Sequence, residues 1–272
     1  MAVLPSGVRS LGWTALSLLV STGVAVAADT PGPLAEARRL YNQGHLEAAV
    51  IAADQARTAP GAADGADLIA ARAYLERFRD SASADDLAAA RVRLARLDPQ
   101  RIGARERTEF AIGLGEALYF DAAYGAAADI FESLLDGGPI SPLDTRDRVL
   151  DWWASAVDRD AWPRPDIDRQ MAYQRMRSVM RNELALNPAS ATAPYWLAAA
   201  ARSQGDLLAA WSAVEAGWVR APLAADHGSA LRTDLDRLML RAVIPERARV
   251  IGQPAESLQI EWEKFKLRWT KD

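Results

Sequence analysis

Phe110-Ala-Ile-Gly-Leu-Gly115-Glu-Ala-Leu-Tyr-Phe120, a polar break at Asp121, and then Tyr124 to Leu135, closed by Pro139, is the stretch that decides the fold. The second part carries Ala127, Phe131 and Leu134 at helical spacing. Two antiparallel helices that touch closely need Gly or Ala at the contact point on each side. Bulkier residues fill the space above and below it, and a proline stops the second helix before the next unit begins.

The pattern recurs from Ala191 to Pro222. Leu197-Ala198 stands where Leu114-Gly115 stood, Gly205-Asp206 makes the turn, Ala210 the close contact and Pro222 the stop. Ala127 to Pro139 is 12 residues, and so is Ala210 to Pro222. A third copy lies near the N-terminus, in Leu40-Tyr41-Asn42-Gln43-Gly44-His45-Leu46-Glu47-Ala48-Ala49, with Ala49 at the contact. Its closing proline, Pro60, comes one residue early.

These residues resemble the tetratricopeptide repeat (TPR). Leu114-Gly115 matches the family's Leu-Gly pair, Ala127 its alanine opening the second helix, Phe131 the large apolar residue one turn later and Pro139 its closing proline. Two further pairs fit less well. Leu68 to Arg79 and Leu87 to Leu97 read as helices with a longer turn between them than the family has, ending at Asp98-Pro99. Val149 to Val157 and Met171 to Leu186 are separated by Asp158 to Gln170, which contains Pro163 and Pro165 and reads as an insertion or loop; Asn187-Pro188 follows. The expected fold is therefore all-α: a TPR-like superhelix of about five helix pairs over 33–222, with C-terminal capping helices over 223–272.

In that C-terminal part, Leu231, Leu235, Leu238 and Ala242 give one apolar face, and Ile244-Pro245 is expected to end the helix. The last helix places Leu258, Trp262, Phe265 and Trp269 on one face. Docking back on the array is the reading favoured for it. An exposed aromatic face for a partner or a membrane surface is the alternative.

Composition narrows the chemistry. The chain has 272 residues, half of them apolar, and abundant alanine, the best helix former. It has no cysteine and two histidines, His45 and His227. Disulfides, thiol catalysis and multi-histidine metal sites are excluded. Net charge is −4 and the charges are mixed, with no basic block of the kind nucleic acid requires. No GxSxG, HExxH, GxxxxGK[ST] or post-strand GxGxxG motif occurs, and Gly113-Leu-Gly115 is explained by helix packing. Asp85-Asp86 and Asp234/Asp236 read as helix starts or solvated faces. No cofactor is implied. Trp196, Trp211 and Trp218 fall in repeat helices and read as core, whereas Trp162, in the Pro-rich loop, is expected to be exposed.

Residues 1–28 read as a secretory signal. Arg9 supplies the positive region, Leu11 to Val26 the apolar region, and Ala25-Val26-Ala27 the small residues that precede cleavage after Ala27 or Ala28. An uncleaved anchor is the competing reading, but 16 apolar residues are short of the roughly 20 that span a bilayer. The mature protein is expected in the periplasm or outside the cell.

The TPR resemblance implies a concave groove lined by the first helix of each pair. The residues on those helices that face away from the second helix are Arg38, Tyr41 and Asn42, then Glu116, Tyr119 and Phe120, then Tyr195 and Arg202. The implied function is an exported scaffold for a protein or peptide partner, with no nucleic acid and with membrane contact only through the last helix. The alternative is an envelope polysaccharide- or peptidoglycan-processing enzyme, or an accessory domain of one, using carboxylates that the sequence does not single out. A closed pocket of converging carboxylates would favour the enzyme, and an open groove the scaffold.

Overall fold

Three of the helix-to-helix turns are built alike, and they are the turns of the three well-matched pairs. In the computed structural model, which describes residues 32–137, 140 and 143–270, α1 (Pro33–Asn42) and α2 (Leu46–Ala56) form the first pair, α5 (Ala104–Phe120) and α6 (Tyr124–Asp136) the third, and α9 (Thr192–Ser203) and α10 (Leu207–Arg220) the fifth. Each turn has a left-handed residue at its centre: Gly44 at φ 76°, Ala122 at φ 59° and Gly205 at φ 76°. Each closes by the same two backbone bonds. The N–H groups of Gly44, Ala122 and Gly205 donate to Tyr41, Tyr119 and Arg202, and those of His45, Ala123 and Asp206 donate to Leu40, Leu118 and Ala201. This is the Schellman cap, which satisfies carbonyls that a helix end would otherwise orphan. Asp206 then caps α10 by accepting from Ala209 N–H.

The contact residues pack as their size predicts. Ala49, Ala127, Phe131, Ala198 and Ala210 are fully buried. Pro222 follows α10 in a 3-10 turn, Ala221–Leu223. Pro139 and the signal-like segment 1–28 lie outside the described residues.

The two divergent pairs differ from their sequence reading. α3 (Ala63–Ser81) and α4 (Ala84–Arg96) are joined by only Ala82 and Ser83. The expected longer turn is replaced by longer helices. The first turn of α3 reads as polar because of Asp64, Gly65 and Asp67, yet all three are buried. Asp64 accepts from Asp98 N–H at 3.0 Å, and Asp67 pairs with Arg57 at 3.1 Å and with Arg93 at 2.9 Å. Partners distant in sequence satisfy carboxylates that would otherwise be costly to bury. Likewise α7 (Leu143–Ala161) and α8 (Asp166–Leu186) are separated by Trp162–Pro165 alone. The expected 13-residue insertion, Asp158 to Gln170, is thus mostly helix. Pro163 and Pro165 both precede α8, where a missing N–H costs nothing.

Stacking is one-sided. α1 packs on α3, α3 on α5, α5 on α7 and α7 on α9, and α9 on α11 (Ser229–Leu238). From α2 to α10 the even-numbered helices make no comparable contact with one another among the described residues. The helix expected to end at Ile244-Pro245 instead continues from α11 through a π turn, Met239–Val243, into α12 (Ile244–Ile251). Pro245 cannot donate to the carbonyl four residues back, on Arg241, and its ring crowds that carbonyl. The widened turn absorbs both effects.

The final helix, α13 (Ala255–Trp269), is docked. Leu258, Trp262 and Phe265 are buried and belong to the same core as Trp211, Val214 and Trp218 of α10. Trp262 meets Trp218 edge-on at 5.2 Å, and its indole N–H donates to Asp236 at 2.8 Å. Only Trp269 of the expected aromatic face is exposed. No described helix is long and apolar enough to cross a membrane.

Candidate functional site

The odd-numbered helices carry two cavities on their common side. The first, about 750 Å³, is lined by Arg38, Tyr41 and Asn42 of α1, Arg72 of α3, Ala104, Arg105, Thr108, Glu109 and Ile112 of α5 and Arg148 of α7. Ile112, Leu134 and Ile140 give it apolar surface. The second, about 970 Å³, is lined by Asp147, Arg148, Asp151 and Trp152 of α7, Tyr195 of α9, and Asp226 and Asp234 in and before α11. Arg148 lines both. Among the described residues of the even-numbered helices, only Ser133 and Leu134 of α6 reach either cavity.

A buried ion pair supports the first cavity. Arg72 Nη1 donates to Glu116 Oε2 at 2.6 Å, with both side chains shut off from solvent. Burial would push Arg72 down, but Glu116 and the Tyr41 hydroxyl hold it firmly as a cation. Burial pushes the Glu116 carboxyl up, and Arg72 pulls against it. Around the rim, Arg38 pairs with Glu109, which also accepts from Arg105 at 3.2 Å. Arg148 makes no ion pair or hydrogen bond among the described residues.

In the second cavity each carboxylate holds a donor. Asp147 accepts from Ser190 Oγ at 2.5 Å and Ala191 N–H at 2.9 Å, fixing the start of α9. Asp226 accepts from Gly228 and Ala230 N–H, and these bonds draw its carboxyl below the usual value. Asp234 pairs with Arg237 at 2.9 Å. Asp151 accepts from the Trp196 indole at 2.7 Å. Desolvation raises the Asp151 carboxyl, the Trp196 bond opposes this, and Asp234 and Asp147 add to the rise. The Tyr195 hydroxyl is raised by burial and by the same acidic neighbours.

The residues expected from the TPR resemblance divide between groove and core. Arg38, Tyr41, Asn42 and Tyr195 line the cavities. Glu116 lies buried beneath the first cavity. Tyr119 and Phe120 pack as aromatic backing for Trp152, with ring centroids at 4.9 and 5.5 Å. Arg202 forks onto Glu246 of α12, with contacts at 2.5 to 3.1 Å. Trp162 stands in its short loop at 76% exposure.

Sequence reasoning missed Asp147, Arg148, Asp151 and Trp152. It began the fourth pair's first helix at Val149, so Asp147 and Arg148 fell outside it. Asp151 and Trp152 lie inside the expected helix, but on a pair whose match to the repeat is too poor to assign its facing residues.

No group of His, Asp or Glu that could hold a metal ion occurs among the described residues. Searches against models of known protein families, curated proteins and solved structures return no match.

Proposed function

We propose that the chain is an exported tetratricopeptide-repeat scaffold. It binds a protein or peptide segment along the odd-helix side, in the cell envelope or outside the cell. The observation that carries this reading is the position of Arg148, a guanidinium without an ion-pair or hydrogen-bond partner among the described residues, at the junction of two cavities lined mainly by odd-numbered helices and the loops beside them. One-sided stacking supports a superhelix, because helices that touch along one side and splay on the other make the array curve. The three matching Schellman turns support the repeat assignment. Tyr195 and Trp152 supply rigid aromatic surface and Arg38 and Arg148 supply planar donors, the side-chain types that anchor interfaces.

The enzyme alternative draws less support. Asp147 and Asp226 hold backbone donors at helix starts, and Asp234 is paired with Arg237. Such carboxylates are poorly placed to exchange protons with a substrate.

The test is a photo-crosslinking residue placed at Arg148 in the groove or at Leu208 on the outer side of α10, expressed in the native envelope. The groove position should yield a discrete crosslinked protein that the outer position lacks. Equal labelling from both positions would sink the reading.

A further inference from the structure

The two ends of the groove carry opposite charge. The first cavity presents Arg38, Arg72, Arg105 and Arg148. Glu109, Glu106 and Glu116 answer three of these, which leaves a positive surplus. Arg105 reaches well into solvent, with its side chain 83% exposed. The second cavity presents Asp147, Asp151, Asp226 and Asp234. With Arg148 counted on the first cavity, Arg79 and Arg237 stand against these four and Glu76, which leaves a negative surplus. Trp152 and Tyr195 form an aromatic wall on the acidic side of Arg148. Tyr119, Phe120 and Phe131 brace Trp152 from behind.

We propose that the occupant of this groove is an extended protein segment with its charges in separate blocks: acidic residues over Arg105 and Arg148, an aromatic or large apolar residue against Trp152 and Tyr195, and lysine or arginine over Asp151 and Asp234. This rests on the groove-binding reading above and adds the chemistry of the partner. Charge complementarity of this kind sets register and rejects wrong partners more than it adds raw affinity. A cationic block beside Asp151 would also relieve its repulsion by Asp234 and Asp147, which adds to the desolvation that raises the Asp151 carboxyl. A segment with its charges interleaved has equal composition but must set some acidic residues against the aspartates and some basic ones against the arginines.

The probes are fluorescent peptides of about ten residues, roughly 35 Å when extended. Four Glu, a central Trp-Leu pair and four Lys are arranged as an acidic-first block peptide, a basic-first block peptide and an interleaved peptide of identical composition. Binding to the mature chain is read by anisotropy at low and at high salt. One block peptide should bind at least about tenfold more tightly than the interleaved one, and the advantage should shrink with salt as screening grows. The variant R105E/R148E alters two side chains with little packing, and circular dichroism checks its fold. It should lose the block preference and favour an all-lysine version. Equal affinity for block and interleaved peptides would overturn the charge-order inference while leaving groove binding standing. If no peptide binds up to about millimolar concentration, both fall.

Discussion

The Phe131 ring of α6 occupies the space beside Gly115 of α5 so closely that a Cβ on Gly115 would stand 2.6 Å from its Cε1 and Cζ. Phe131 is fully buried and stacks on Trp152 at 6.2 Å, so it cannot retreat without disturbing a groove wall. Gly115→Ala should therefore destabilise the chain. Overpacking of about 1–3 kcal/mol outweighs the roughly 1 kcal/mol that alanine gains in a helix. Pairing it with Phe131→Leu should recover part of the loss. Urea denaturation checks both, and a neutral G115A would show that the pair is not tightly packed.

The Arg72–Glu116 pair should behave as a coupled unit. Removing one partner leaves a buried charge without its main counter-ion, so Glu116→Leu should cost about 3–5 kcal/mol. The double variant R72M/E116L should lose much less than the two single losses added together. A double-mutant cycle by chemical denaturation measures this, and simple additivity would refute the coupling.

Asp151 should make stability depend on pH in one direction. Its folded value is raised above the ordinary 3.8, so the folded state holds this proton more tightly than the unfolded chain. The stability it contributes is present below the unfolded value and is lost as pH rises through the folded one. Asp151→Asn keeps an oxygen for the Trp196 indole and removes the charge. The difference in Tm between D151N and wild type should grow as pH rises past 3.8 toward neutrality. A difference that stays constant over a pH series would contradict the assignment.

The docked α13 should contribute strongly to the C-terminal core. Trp262 is fully buried between Trp218, Phe265 and Asp236, with Lys266 pairing the same carboxylate at 2.7 Å. Trp262→Ala should cost about 3–5 kcal/mol. Thermal melts of W262A and W262F should differ clearly, since phenylalanine keeps most of the ring area but not the indole N–H. Equal melts for wild type and W262A would mean that α13 is dispensable.

The proposed export predicts a processed terminus. N-terminal sequencing of the protein recovered from the native envelope should begin at Ala28 or Asp29, just after Ala25-Val26-Ala27. An intact Met1 would reject cleavage.

The sequence by itself determined the helical class, the three well-formed pairs and the close-contact residues Gly115, Ala127, Ala198 and Ala210. These features are local: glycine and alanine allow close approach, and Gly44 and Gly205 adopt the left-handed turn without cost. Only the tertiary structure decided the rest. α3 could begin at Ala63 because Arg57, Arg93 and Asp98 reach its buried aspartates, and no local pattern announces such partners. The helix at Pro245 could continue because a π turn tucks Met239 and Val243 into the core. The groove depended on the same long-range packing. A six-residue difference in where α7 starts, Leu143 rather than Val149, puts Asp147 and Arg148 on the same helix as Asp151 and Trp152. The extra turns at the start of α7 are held by Arg146 on Glu183 and Asp147 on Ser190, contacts far away in the chain that no local pattern announces.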